Sequence, residues 1–347
     1  ANLYMISLLL SLAEKKILPD CLIRFGIRSL LVKRIGSLKN DSPEKHQESK
    51  QDFINSMDNS PIALVPELAN EQHYEIPSKF YDLCLGKNKK YSSCFWKSNT
   101  ENLNQAEHLS LKLTCQHAKL TDGLDILELG CGWGSLTLWM AKNFPKSRIT
   151  AVSNSSSQRT YILNQAKVRK LKNIKVITCD MNDFKTNQRF DRIVSVEMIE
   201  HMRNHRSLFS SIFKWLKPKG LFFMHIFVHR STPYLFEVKD KDDWMSKYFF
   251  SGGMMPSEDL PLHFQDKLTI DEKWVWSGQH YEKTANAWLQ NIDKNEAKAV
   301  AILEDIYGEK NAKKWLQRWR IFFMSCAELW GFDKGNEWKV SHYLFKK

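Results

Sequence analysis

Glu197-Met198-Ile199-Glu200-His201 follows a short apolar segment and carries two carboxylates and an imidazole within five positions. If the chain turns helical there, Glu200 and His201 share a face with Glu197 by i+3 and i+4 spacing. That set suits an amine substrate. An alkyl amine has a pKa of about 10.4, so at neutral pH it is protonated and lacks a lone pair. Removing the proton costs roughly 4 to 5 kcal/mol. Carboxylates attract the ammonium, His201 or Glu200 accepts its proton, and Glu197 mainly holds a cation. His201-x-x-x-His205 has helical metal-ligand spacing, but no third ligand motif accompanies it, so no metal is assigned. A structural role for His201 and a helix-capping role for Glu197 are the plainer alternatives.

A second cluster is Glu128-Leu129-Gly130-Cys131-Gly132-Trp133-Gly134, between a strand-like run and a helical pattern. Closely spaced glycines let backbone approach a ligand. The dinucleotide pattern is G-x-G-x-x-G, whereas here it is G-x-G-x-G behind an acidic residue. A carboxylate beside the turn disfavours a pyrophosphate and favours a ligand with cationic groups. S-adenosylmethionine, with a sulfonium and an ammonium, fits. After the next strand no acid is available for ribose hydroxyls, so Asn154 and Gln158 are the polar candidates. After the third, Asp180 can accept from an adenine amino group while Met181 covers the ring.

The elements that must position these groups alternate. Strands are expected at Leu124–Leu129, Arg148–Ser153, Ile174–Cys179, Asp191–Val196 and Gly220–Val228, with helical stretches between them. This is the signature of a parallel sheet with crossover helices. Later strands at Leu268–Trp276 and Glu337–Phe345 add antiparallel pairing, around helices between Thr284 and Leu329. Residues 231–266 read as irregular, and residues 37–60 as a linker or loosely held helix. Helices are expected over residues 1–35, the second with a basic face at Arg24, Arg28, Lys33 and Arg34 that is either solvated or near acidic lipid.

Lys+Arg 51 against Asp+Glu 39 gives a formal net charge of +12, which suits an anionic partner or is merely a basic surface. The apolar run Leu3–Ala13 is too short to span a bilayer and has its charges after it rather than before. A cytoplasmic protein is therefore expected. The scattered thiols of seven cysteines, none in a C-x-x-C pair, agree with a reducing compartment.

Taken together, ILELGCGWG, VSNSSSQ, CDMND and VEMIEHM resemble the cyclopropane-fatty-acid-synthase and coclaurine N-methyltransferase superfamily of S-adenosylmethionine-dependent methyltransferases. So do Glu71–Pro77, Lys90–Phe95, Tyr248–Pro256, Gly278–Tyr281, Trp319–Phe323 and the closing Glu337–Lys347, so the resemblance covers about the whole chain. It implies a class I Rossmann-like α/β methyltransferase with a mostly parallel seven-stranded sheet, a helical N-terminal lid and helical substrate-binding insertions. The corresponding division is a lid over 1–120, a cofactor-binding core over 121–230, and substrate insertions plus closing strands over 231–347. Catalytic Glu197, Glu200 and His201 match the N-methyltransferase branch residue by residue. Cofactor contacts are implied at Tyr91, Ser92, Glu128, Gly130, Gly132, Gly134, Asn154, Gln158, Asp180 and Met181. Substrate contacts are implied at Tyr74, Phe95, Trp96, Tyr234, Phe249 and Phe323, within a wider set of aromatics that includes Tyr81, Phe236, Trp244 and Tyr248.

The cyclopropane branch, acting on unsaturated phospholipid chains with a bound bicarbonate, is the alternative. It usually has Gly at Glu197, Cys at Ser93 and Tyr where Phe322 and Phe323 stand here. The expected function is therefore N-methylation of a hydrophobic cyclic amine of benzylisoquinoline type, with no nucleic-acid partner and no integral membrane segment. A weak peripheral membrane contact and a homodimer are compatible with it.

Overall fold

Strand order, read from the hydrogen bonding of a computed structural model, is β3-β2-β1-β4-β5-β9-β8 in a single seven-stranded sheet. The structure describes all residues except 1, 40–41, 65–75, 101 and 239–242. The strands are β1 (Asp125–Leu129), β2 (Arg148–Ser153), β3 (Ile174–Thr178), β4 (Phe190–Val196), β5 (Leu216–His229), β8 (Thr269–Trp276) and β9 (Trp338–Lys346). A separate two-stranded pair is formed by β6 (Tyr234–Leu235) and β7 (Met254–Met255). Strands β1 to β5 are parallel, while β9 runs antiparallel to both β5 and β8. All seven strands expected from sequence are present, and the sheet is mostly parallel as expected.

Among the described residues five helices precede the sheet: α1 (Asn2–Glu14), α2 (Asp20–Leu38), α3 (Pro43–Asp58), α4 (Ser78–Cys84) and α5 (Leu103–His117). Crossover helices α6 (Ser135–Asn143), α7 (Ser156–Val168) and α8 (His205–Trp215) flank it. A short α9 (Trp244–Tyr248) and the long α10 (Gly278–Lys294), α11 (Glu296–Tyr307) and α12 (Glu309–Gly331) follow. One sheet face buries Leu127, Leu129 and Ile193 with Leu208, Phe209 and Ile212 of α8. The other buries Ile126 and Val194 with Leu111 and Cys115 of α5 and Leu136 and Met140 of α6. Continuous apolar strands are what a sheet covered on both faces requires. Helix α5 falls within the stretch read as lid, yet it is part of this covering layer.

Within the stretch read as a linker or loosely held helix, residues 43–58 form the helix α3. Ser42 caps α3 by accepting from the Lys45 amide, and Ile54 and Met57 are buried in the core. The basic face of α2 is docked rather than wholly solvated. Arg24 and Arg28 pair with Glu328, and Arg34 pairs with Asp243. Further pairs, Glu14–Arg318 and Asp20–Arg320, tie the N-terminal helices to α12. Among the described residues no helix is long and apolar enough to cross a membrane.

The order reverses between β1 and β4, which are adjacent although β1 is followed in sequence by β2. In open α/β sheets a crevice forms at such a switch point, outside the carboxyl ends of the strands. The glycine turn follows β1 and Glu197 follows β4, so both clusters found in the sequence arrive at one place.

Candidate active site

A cavity of about 500 Å³ opens at these strand ends. Its polar half is lined by Glu128, Gly130, Gly132, Ser135, Asn154, Gln158, Asp180 and Met181, joined by Tyr91 and Ser92 from the loop before α5. The turn after β1 is left-handed at Gly130, Gly132 and Gly134. A Cβ at Gly130 would meet the Met198 side chain at 2.4 Å, and one at Gly134 would meet Ile162 at 2.6 Å. Gly134 is therefore needed to seat α6 against α7 and does not line the cavity. At Gly132 nothing stands within 4 Å of such a Cβ. Its open side lies in the cavity wall, leaving backbone bare toward a ligand.

Three buried polar groups suit a cationic nucleoside. Gln158 turns its Oε1 to the Ser153 hydroxyl at 2.6 Å, leaving Nε2 without a partner. Ser135 Oγ, at the first position of α6, is likewise buried and unpartnered. Glu128 accepts from Thr137 at 2.7 Å, and burial pushes its carboxyl up to about 8. A ligand ammonium would return that carboxyl to its charged form. Unpaired buried groups are costly when nothing meets them, so this half fits S-adenosylmethionine. Ser135 was missed from sequence because a serine opening a helix reads as a cap.

Glu197 has φ 48°, a conformation unusual for a residue with a side chain and common at functional sites. The twist delivers its carboxylate to three donors: the Ser93 amide at 2.7 Å, His225 Nε2 at 3.0 Å and the Tyr281 hydroxyl at 2.6 Å. Burial works to raise its pKa, but these donors and the nearby Lys90 charge outweigh it and hold the carboxyl below the usual value. Glu197 is thus a charged, fixed wall of the cavity rather than a helix cap. Lys90 is itself buried, its ammonium on Ser92 Oγ and the Ser93 carbonyl at 2.6 Å each.

Glu200 and His201 sit in a single 3-10 turn, Ile199–His201, and point different ways. His201 lines the cavity and stacks beside Phe250. Burial holds its imidazole down to about 4, so the ring is neutral with a lone pair available. Glu200 lies behind the wall, accepting from the Phe227 amide at 2.7 Å, its other oxygen unpartnered. Burial, and then the Glu197 charge, drive its pKa well above the carboxylate range. Its bond to the Phe227 amide ties the turn that presents His201 to β5, and Glu200 itself does not line the cavity. The expectation that it shares in deprotonation is not met by this placement. His205 is tied through Nε2 to the Ile199 and Met202 carbonyls at 3.1 Å each.

The apolar half is assembled from distant segments. Ile27, Leu30, Leu31 and Arg34 of α2 close one side; Tyr234, Phe236, Trp244 and Phe250 form another; Ile321, Phe322 and Trp330 of α12 form the floor. Of the expected substrate residues, Tyr234 lies in this wall, joined by Phe236 and Trp244 of the wider aromatic set, and Tyr74 is outside the described residues. Phe95 stacks on His280 at 4.1 Å and Trp96 donates to Thr284 at 3.1 Å, both fastening their loop to α10. Phe249 stacks beneath Phe322 at 4.2 Å, and Phe323 packs between Trp288 and Trp319. These four support the wall from behind.

Comparison with known proteins agrees with this geometry. The family model for mycolic acid cyclopropane synthetase matches residues 66–338. The chain is 36% identical over 337 residues to the (S)-coclaurine N-methyltransferase of Papaver somniferum, covering 96% of each protein. It is 29% identical over 227 residues to the cyclopropane-fatty-acyl-phospholipid synthase of Escherichia coli K12, covering 65% of this chain and 56% of that one. A crystal structure of coclaurine N-methyltransferase bound to N-methylheliamine and SAH superimposes with a TM-score of 0.96 at 35% identity, covering 99% of this chain and 100% of that one.

Proposed function

The chain belongs to the mycolic acid cyclopropane synthetase family, and from that premise we propose that its cavity methylates the nitrogen of a hydrophobic cyclic amine. It is an S-adenosylmethionine-dependent N-methyltransferase. The acceptor we infer is of the benzylisoquinoline type, in keeping with the relatives that match nearly the whole chain. The observation that carries the reading is the junction of the two halves. A fixed carboxylate, Glu197, and a neutral imidazole, His201, face one cavity, between a polar nucleoside half and an aromatic half.

Glu128, the bare backbone at Gly132, Gln158 and Asp180 would hold the cofactor, which supplies an electrophilic methyl on a sulfonium. The rest belongs to the protein. Aromatic faces of Tyr234, Phe236 and Phe250 attract a cationic amine while excluding water. Glu197 adds a full negative charge beside it. His201, uncharged at neutral pH, accepts the ammonium proton at a ring nitrogen and passes it to solvent, leaving a nitrogen lone pair. Holding that lone pair in line with the methyl group supplies much of the rate.

The alternative, transfer to a lipid alkene, loses support at the same residues. A bicarbonate would need donors free to receive it, whereas the Ser93 amide, His225 and Tyr281 all serve Glu197. Assay of S-adenosylmethionine with a panel of cyclic secondary amines and with unsaturated phospholipid vesicles, in buffer freed of carbonate, tests the reading. Amine turnover indifferent to carbonate is expected. Turnover of lipid alone, restored by carbonate, would sink it.

A further inference from the structure

Behind the cavity, three histidines from three elements form a hydrogen-bonded row. His225 Nε2 lies 3.0 Å from Glu197 Oε2, His342 Nε2 lies 2.9 Å from His225 Nδ1, and His117 Nδ1 lies 2.8 Å from His342 Nδ1. The row passes from β5 to β9 and ends on α5. His225 and His342 are fully buried, while His117 is half-buried and stacks on Trp274 at 3.9 Å.

One charge fixes every proton in this row. An ionised carboxylate only accepts, so His225 donates from Nε2. In a neutral imidazole its Nδ1 is then a lone pair, and His342 must meet it with an Nε2–H. By the same step His342 Nδ1 is a lone pair, and His117 meets it with an Nδ1–H. Burial lowers the pKa of all three rings, which agrees with three neutral imidazoles. Around them, Lys90 adds positive charge near His225 and His342, with Glu107 of α5 receiving the Lys90 amide. Tyr281 of α10 faces Glu197, and Glu200 and His201 also feel the Glu197 charge. Glu272 of β8 acts on His117, and is itself paired with Lys119, which also reaches Asp271.

We propose that His342, held by His117, is a positioning residue for the cavity carboxylate: by donating to His225 Nδ1 it keeps that ring from taking a second proton, so that Glu197 faces the cavity with an uncancelled negative charge. Lacking that donor, an imidazole with an open lone pair beside a carboxylate gains a proton, and the imidazolium cancels the charge that attracts a cationic acceptor. The inference deepens the proposed amine methylation and rests on it.

The test compares His342→Phe, which removes the donor, with His342→Gln, whose side-chain amide restores one. For a cyclic amine that remains protonated, His342→Phe should raise KM about tenfold at pH 7 and recover toward wild type by pH 9, with kcat changed by no more than about twofold. His342→Gln should stay within about twofold of wild type at both pH values. Nitrogen-15 imidazole spectra should show His225 and His342 neutral and protonated at Nε2 in the wild type, and His225 as an imidazolium at pH 7 in His342→Phe. Equal, pH-independent KM increases in both variants would reduce His342 to packing and overturn the inference. So would a wild-type spectrum with His225 doubly protonated, a result readable even if the Phe variant fails to fold. The spectra need no turnover, so they decide the row separately from the reaction, which a wild type that methylates no amine would overturn.

Discussion

The two halves of the cavity are built by opposite strategies. The nucleoside half uses the ends of three adjacent parallel strands, with most of its side chains within six residues beyond a strand, and it leaves polar atoms of Ser135 and Gln158 unpaired. The acceptor half borrows single faces from α2, the segment around Tyr234–Phe250 and α12, residues separated by hundreds of positions, and it is mostly hydrocarbon and aromatic. The lesson is physical. A ligand shared across chemistries is held by backbone geometry and hydrogen bonds, whereas a variable hydrophobic one is held by whichever faces the helices turn inward.

Changes on one side should therefore leave the other side's constants intact. The largest effect is expected at Gly132, where φ is 53°. Gly132→Val places a branched side chain into the cavity from a left-handed backbone. It should weaken S-adenosylmethionine binding by roughly a hundredfold or more in calorimetry, while the variant melts as a folded protein. His201→Ala, at the junction, should lower kcat about 10²- to 10⁴-fold with cofactor affinity unchanged. Raising the pH should partly rescue it, because more free amine is present without help. The ring is already neutral above about 4, so the wild-type acid limb near neutrality should follow the amine's pKa and not that of His201.

Smaller effects sharpen the division. Phe322→Leu should raise the acceptor KM about tenfold and leave the cofactor Kd alone; a change in cofactor affinity instead would break the separation. Glu128 sits near 8 through burial, so it is mostly protonated at pH 7, and binding a cation favours its ionised form. Cofactor binding should then release a proton at pH 7, and affinity should climb roughly fivefold between pH 7 and 8 before flattening. Calorimetry in buffers of different ionisation enthalpy reads both. Trp96→Phe should cost only about 1 kcal/mol in thermal stability, the worth of its bond to Thr284, with KM unaltered.

The same contrast explains what the amino-acid sequence could reveal. Strand ends are contiguous with the residues that follow them, so Gly130, Gly132, Asn154, Gln158, Asp180 and Met181 were legible as soon as the strands were. Helix rotation is not local. Phe322 and Phe323 are neighbours about 100° apart on α12, and only packing decides that the first lines the cavity while the second enters the core. Ile27, Leu30 and Leu31 repeat at helical spacing, but nothing in their order says that a cavity lies beneath. His225 carried a faint signal, a lone polar residue in the apolar run Phe222–Val228, whose partner at Glu197 emerges only across the sheet. Glu197 and Glu200 are three positions apart with opposite fates, because the left-handed backbone at Glu197 points one carboxylate at three donors while the following turn buries the other.

The account stands or falls on where the methyl group goes. The most direct measurement gives the enzyme S-adenosylmethionine bearing a CD3 group, together with a hydrophobic cyclic secondary amine and unsaturated phospholipid vesicles, and follows the deuterium by mass spectrometry. An intact CD3 on the amine nitrogen, with unlabelled lipid, is the predicted result. Label recovered as CD2 in a lipid acyl chain, or no label on nitrogen for any amine tried, would contradict it.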